Sequence, residues 1–213
     1  MSKIKTTKLI CACCGNEVYI DRLLSFSCNT IDLSGNKHTS MQYIVEECPK
    51  CHYISFDIAD RSIHVTMEML NAFRMNSGTD VIKDPTFHAL LKAADIYEKN
   101  NDYKRYAQAL RLAGFYAEEL NEMRLYEELL RQSNEALRTY FESKDEFDAA
   151  DLMLAIELID GERRLGLFDA AGNMCEEILP LLEETSELRR LITFENTLLE
   201  NCDRSEHFVS EVM

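Results

Sequence analysis

Residues 11–15 read Cys-Ala-Cys-Cys-Gly, and residues 48–52 read Cys-Pro-Lys-Cys-His. Each stretch contains a C-x-x-C pair, Cys11 with Cys14 and Cys48 with Cys51, and the 33 residues from Gly15 to Glu47 separate the two pairs. A two-residue spacer lets one tight turn present two sulfurs to one ion, and zinc takes four thiolates tetrahedrally. Gly15 suits the left-handed residue that such a turn needs, and Pro49 fixes φ inside the second turn. Four ordinary buried cysteines would have no reason to show ligand spacing in both pairs. Spacing alone does not separate zinc from iron. Four thiolates leave no open position for a reacting water, so the ion is expected to be structural.

Around these turns the sequence is strand-like. Glu17–Ile20 follows the first turn, Gln42–Val45 leads into the second, and Tyr53–Ile58 leaves it with near-alternating apolar residues. Asp32–Lys37 reads as a turn or loop. Residues 1–60 are therefore expected to form a small β-rich zinc ribbon with ligands Cys11, Cys14, Cys48 and Cys51. A module of this size commonly draws much of its folding free energy from the metal. Cys13 competes with Cys14 for second place in the first turn. The C-x-x-C-G pattern favours Cys14 and leaves Cys13 a spare thiol. Cys28 reads as a small apolar strand residue. His52 stands where ribbons often have Gly, and a ligand role for it would require displacing a thiolate.

Past Asp84 the apolar spacing changes to three and four. Asp84-Pro85 reads as an N-cap with Pro in the first turn. Helices are expected from there to about Lys99, from Asp102 to about Leu120, and from Asn121 or Glu122 through Phe141. Three more should start near Asp145, after Gly166, and at Thr185 or Ser186. Residues 61–83 read as a connecting helix, Ser62 to Arg74, followed by a flexible break at Asn76–Asp80. Residues 84–204 form the helical domain, and 205–213 are expected to fray. Short connections make successive helices antiparallel neighbours. Local stretches such as Gly166-Leu-Phe168-Asp-Ala-Ala171 echo the tetratricopeptide pattern. The anchors Tyr103, Phe147 and Phe168 are nevertheless 44 and 21 residues apart, not 34. The fold class is α+β: a zinc ribbon, then tetratricopeptide-like hairpins, with a plain helical bundle as the alternative.

The combination resembles a group of uncharacterised bacterial proteins with an N-terminal zinc ribbon and a tetratricopeptide-like C-terminal half. The residues that carry it are Cys11-Ala-Cys-Cys-Gly-Asn-Glu17, Arg22–Ser27, Ile31-Asp-Leu33, Glu47-Cys-Pro-Lys-Cys-His-Tyr53 and Ala109–Ala113. The resemblance implies the same four cysteine ligands. It brings no established activity with it.

The 213 residues allow one domain or two. The cysteines divide unevenly: six of the eight lie in the first 51 residues, leaving Cys175 and Cys202 isolated. Charge divides the other way. Through Asp60 there are six basic and seven acidic residues, and from Arg61 onward 17 basic and 31 acidic, so the net −15 belongs almost wholly to the helical part. That balance argues against phosphate backbones and anionic lipid as ligands. No apolar run approaches the ~20 residues needed to span a bilayer, and Met1–Leu9 lacks the apolar core of a secretory signal. Unpaired, clustered thiols then point to the cytoplasm.

No G-x-S-x-G, Walker loop, H-E-x-x-H or dinucleotide fingerprint is present. His64 and Glu68 would share a helical face, which reads as a surface pair, and His38, His88 and His207 have no recognisable partners. A non-catalytic role is the expectation: a structural zinc site plus an acidic helical surface for a protein or peptide, a basic one by charge. Two alternatives stand beside it. One is a nucleic-acid-associated regulator acting through the ribbon, although its basic residues, Lys3, Lys5, Lys8, Arg22, Lys37 and Lys50, do not cluster. The other is a zinc- or redox-responsive switch using Cys13 or Cys28.

Overall fold

In the computed structural model, residues 3–25, 31–33, 44–72 and 82–212 are described. Cys28, His38, residues 34–37, 42–43 and 73–74, and the break at 76–80 lie outside them. The class is α+β: two small antiparallel sheets come first and helices follow.

Strands β1 (Lys3–Ile10) and β2 (Glu17–Ser25) form one hairpin, in register from Ile10↔Glu17 to Lys3↔Ser25 with an irregularity at Lys3/Ile4. Strands β3 (Glu46–Glu47) and β4 (Ile54–Ser55) form a second, far shorter one. Strand β2 starts at Glu17 as expected and runs on to Ser25. Strand β1 has no counterpart in the sequence reading. Its Ile4 and Ile10 are exposed and only Thr7 and Leu9 are half-buried, so no apolar alternation announces it. Residues 44 and 45 are turn and bend, not strand.

Helix α1 (Met67–Ala72) is shorter than the expected connecting helix, because residues 62–66 are not helical. The remaining helices match the apolar spacing: α2 (Pro85–Lys99), α3 (Tyr103–Glu119), α4 (Met123–Glu142), α5 (Ala149–Arg164), α6 (Phe168–Ile178) and α7 (Glu187–Glu200). Their starts are capped by side chains. Asp84 Oδ1 accepts from Thr86 N and Phe87 N, Asp102 from Arg105 N, and Ser186 from Arg189 N, while Asp148 and Asp151 form a capping box. Four ends share one device, a left-handed residue just past the last turn: Asn101, Asn121, Gly166 and Cys202. Each is followed by an N–H that reaches back five residues, as Asp102 N does to Tyr97 O at 3.0 Å and Asp203 N to Leu198 O at 2.9 Å.

The chain divides into two compact units, Met1–Ser27 with Thr39–Leu129, and Cys28–His38 with Leu130–Met213. In the first, α2 packs on α3 and against β4, with Phe87, Leu90, Ile96, Tyr97, Ala109 and Phe115 buried. In the second, α5 packs on α6 and α7 around Leu154, Leu158, Ile159, Cys175, Ile178 and Ile192. Arg163 lies fully buried among them. It donates to Glu195 at 2.8 Å, to Asp160 at 2.5 Å and to the carbonyls of Asp203 and Ser205.

The C-terminal stretch, read from the sequence as frayed, has fixed partners. His207 O accepts from Leu33 N, Val209 N donates to Ile31 O, and Phe208 pairs with Asp32 in an antiparallel bridge. Backbone hydrogen bonds of this kind carry no side-chain periodicity, which is why the sequence did not announce them.

Candidate metal centre

Each C-x-x-C pair lies in the loop of a hairpin. Ile10↔Glu17 closes the first and Glu47↔Ile54 the second, so Cys11–Asn16 and Cys48–Tyr53 are six-residue loops of the same construction. Gly15 N donates to Cys11 O and His52 N to Cys48 O, both at 2.9 Å. Cys11 N donates to Asn16 O at 3.0 Å and Cys48 N to Tyr53 O at 2.8 Å. Both loops turn through a left-handed residue, Gly15 at φ +69° and His52 at φ +59°. His52 thus does the backbone work of a glycine, a conformation His tolerates better than most residues. Its ring turns to Glu47 Oε1, 2.6 Å away, and stays exposed, outside the cysteine cluster.

The two loops bring Cys11, Cys14, Cys48 and Cys51 together with all four sulfurs within 4.8 Å of one another. Cys11 Sγ lies 3.7 Å from Cys51 Sγ, and Cys14 Sγ lies 3.8 Å from Cys48 Sγ. Sulfurs about 2.3 Å from a central ion in a tetrahedron stand about 3.8 Å apart, whereas a disulfide needs about 2.05 Å. All four are free thiols. The cluster could therefore hold a metal ion, with one contact from each hairpin to the other already at coordination spacing.

Surrounding groups fix this arrangement. Ala12 N donates to Ile58 O at 2.8 Å, tying the first loop to the segment after β4. Arg22 on β2 reaches across with Nη2 donating to Glu46 Oε2 at 2.9 Å and to Asp57 Oδ1 at 2.6 Å, while its Nε pairs with Glu46 Oε1. The bonds to Glu46 raise the Arg22 guanidinium above its ordinary value. Glu46 is buried and also accepts from Ile58 N at 3.0 Å. Helix α2 supports the second loop. Lys92 Nζ donates to His52 O at 3.0 Å, and Tyr97 Oη accepts from Phe56 N at 2.8 Å beside Ser55 Oγ. None of these partners is legible in the sequence, since each pairs residues 12 or more positions apart.

The thiols are not equivalent. Burial pushes Cys11 up to about 11 and raises Cys51 further. At Cys14 burial acts the same way but is outweighed by hydrogen bonds, from Asn16 above all and from Cys51 and Cys11, bringing it to about 6. Asn16 Nδ2 donates to Cys14 Sγ at 3.2 Å, the kind of bond that stabilises a ligating thiolate.

Other residues singled out from sequence lie elsewhere. His64 precedes α1 in non-helical backbone, so it shares no helical face with Glu68, and its own N–H and carbonyl pair with the Asn100 side chain. His88 Nε2 contacts Ile82 O at 2.6 Å. His207, without partners in the sequence reading, contacts Asp203, Ser205 and Glu211. Cys175 is buried and Cys202 exposed. Among the described residues, no helix is long and apolar enough to cross a membrane. No protein-family model, curated protein or solved structure matches the chain.

Proposed function

We propose that the chain is a non-catalytic zinc-binding protein, with a structural ion clasped by Cys11, Cys14, Cys48 and Cys51 and an acidic helical surface that docks a basic protein or peptide. The sulfur spacing carries the first half: two Sγ pairs at 3.7 and 3.8 Å from opposite loops meet the edge length of a tetrahedral thiolate site. Zinc is favoured over iron because it needs no redox partner and suits a closed, structural four-sulfur site. The ion joins two hairpins, and β3 and β4 are only two residues each, so metal binding supplies much of the stability of the second. The second half is supported by the charge surplus beyond Arg61 and by the packing of α2 on α3 and of α5 on α6, which we read as tetratricopeptide-like hairpins whose acidic face would take a cationic segment.

Elemental analysis of the purified protein should find one zinc per chain, and Cys48→Ser should lose it. Retention of stoichiometric zinc by that variant would sink the four-ligand assignment. For the partner, affinity capture at two salt concentrations decides. Salt-sensitive recovery of one basic protein supports the acidic surface, and nuclease-sensitive recovery would replace it with the nucleic-acid reading.

A further inference from the structure

The sheet formed by β1 and β2 has only those two strands, so β1 is an edge. Cys11 N donates to Asn16 O, which fixes the phase of the ladder. Counted back from Cys11 along the register, Leu9, Thr7 and Lys5 turn their backbone N–H and C=O groups to β2. Ile4, Thr6, Lys8 and Ile10 turn theirs outward, and among the described residues no other element pairs with them. The side chains of these four share one face of the pleat with Tyr19 of β2. On that face Ile4, Ile10 and Tyr19 are 48%, 52% and 63% exposed.

Outward donors and acceptors in alternation are satisfied together by another peptide backbone, and charge says which kind. Strand β1 holds Lys3, Lys5 and Lys8 and no acidic residue, in a chain that is −15 overall. Lys5 is exposed. Lys8 pairs across the hairpin with Glu17 at 2.7 Å, but both side chains are more than half exposed, a setting in which a second carboxylate can share the ammonium. Two copies of β1 laid edge to edge would set lysine beside lysine, which disfavours self-pairing. We propose that β1 docks an acidic peptide segment in extended conformation, which adds a third strand beside Ile4–Ile10. Its backbone pairs with the outward groups of Ile4, Thr6, Lys8 and Ile10. Its apolar side chains lie beside Ile4, Ile10 and Tyr19, and its carboxylates reach Lys5 and Lys8. This edge takes a partner opposite in charge to the one assigned to the helical surface, and it does not rest on that assignment.

The probe is a fluorescent octapeptide of alternating valine and glutamate, titrated into the intact chain and followed by anisotropy. The net charge of −15 repels this peptide, so saturable binding reports a local match. Lys5→Glu/Lys8→Glu should weaken it by about tenfold or more. A second arm leaves the protein untouched. Methylating either the valine or the glutamate nitrogens should have unequal effects, because one set faces β1 and the other faces away: the first should cost about tenfold or more, the second little. Amide exchange followed by NMR should slow by about tenfold or more at Thr6, Lys8 and Ile10 when the peptide binds. No binding at about 1 mM peptide, equal effects of the two methylations, or unchanged exchange at those amides would each overturn the proposal. Tighter binding of a single-stranded oligodeoxynucleotide than of the peptide, lost in the same lysine variant, would overturn it in favour of nucleic acid.

Discussion

At φ +59° His52 occupies the backbone position that Gly15 fills in the other loop. A left-handed residue with a Cβ costs roughly 1–2 kcal/mol, and His52 recovers little of it. Its pairing with Glu47 joins two side chains that are each about half or more exposed, a setting in which an ion pair contributes ~0–1 kcal/mol. The hydrogen bond from Lys92 goes to the His52 carbonyl and survives any side-chain change. His52→Gly should therefore leave zinc stoichiometry and affinity unchanged and raise the stability of the loaded protein by about 1 kcal/mol. Thermal unfolding with a parallel zinc titration checks both at once. A drop in zinc affinity would show that the imidazole takes part in binding.

Helix α2 does at element scale what Arg22 and Glu46 do beside the loops: it holds the second hairpin in place. The Tyr97 hydroxyl accepts from Phe56 N in buried surroundings, and the ring lies 5.4 Å from that of Phe56. Tyr97→Phe keeps the packing but strands the Phe56 amide, at a cost of about 1–3 kcal/mol. The second hairpin should loosen, so zinc release to a chelator should accelerate in this variant with one-zinc stoichiometry retained. An unchanged release rate would show that α2 does not set the geometry of the Cys48–Tyr53 loop. From sequence, Tyr97 was readable only as one apolar residue on a helical face. The six long helices were legible because their apolar spacing and caps are local, and Asp84-Pro85 marked the start of α2 correctly. The cysteine pairs were legible for the same reason, since ligand spacing is a local pattern. What stayed hidden was everything made by distant pairing: β1, whose exposed Ile4 and Ile10 break the alternation, the Arg22–Glu46–Asp57 bridge, and the pairing of residues 31–33 with 207–209.

The whole molecule carries −15, yet the most consequential acidic group is buried and not part of that solvated surplus. Glu195 on α7 is pushed up to about 8, first by burial and then by Asp160, with Arg163 acting the other way. Around it stand Asp160, Glu162 and Arg163 from α5 and Cys175 from α6, and Arg163 also binds the carbonyls of Asp203 and Ser205. The folded chain thus keeps a proton on Glu195 that the unfolded chain releases near its ordinary 4.5. Stability from this group is complete below that value and is lost as pH rises towards 8. Asp203, held near 2 by its bonds to Ser205 and then His207, acts in the opposite sense, but only in strong acid. Between pH 6 and 8.5 Glu195 alone should lower Tm by up to about 3 °C per pH unit, against the rise contributed by zinc-bound thiolates that regain protons on unfolding, so its share is read as the difference between wild type and a Glu195 variant. Surface repulsion would also grow with pH, but salt screens exposed charges and leaves a buried one nearly untouched. The Glu195 share should accordingly persist in 0.5 M salt, a concentration chosen only to make the Debye length about 4 Å. Glu195→Gln, which keeps the shape of the protonated acid, should remove that share and make the variant gain on wild type steadily as pH rises, to be the more stable of the two at pH 8.5. Parallel Tm curves for variant and wild type across that range would place the pH dependence elsewhere and show that Arg163 neutralises Glu195 without help from a proton.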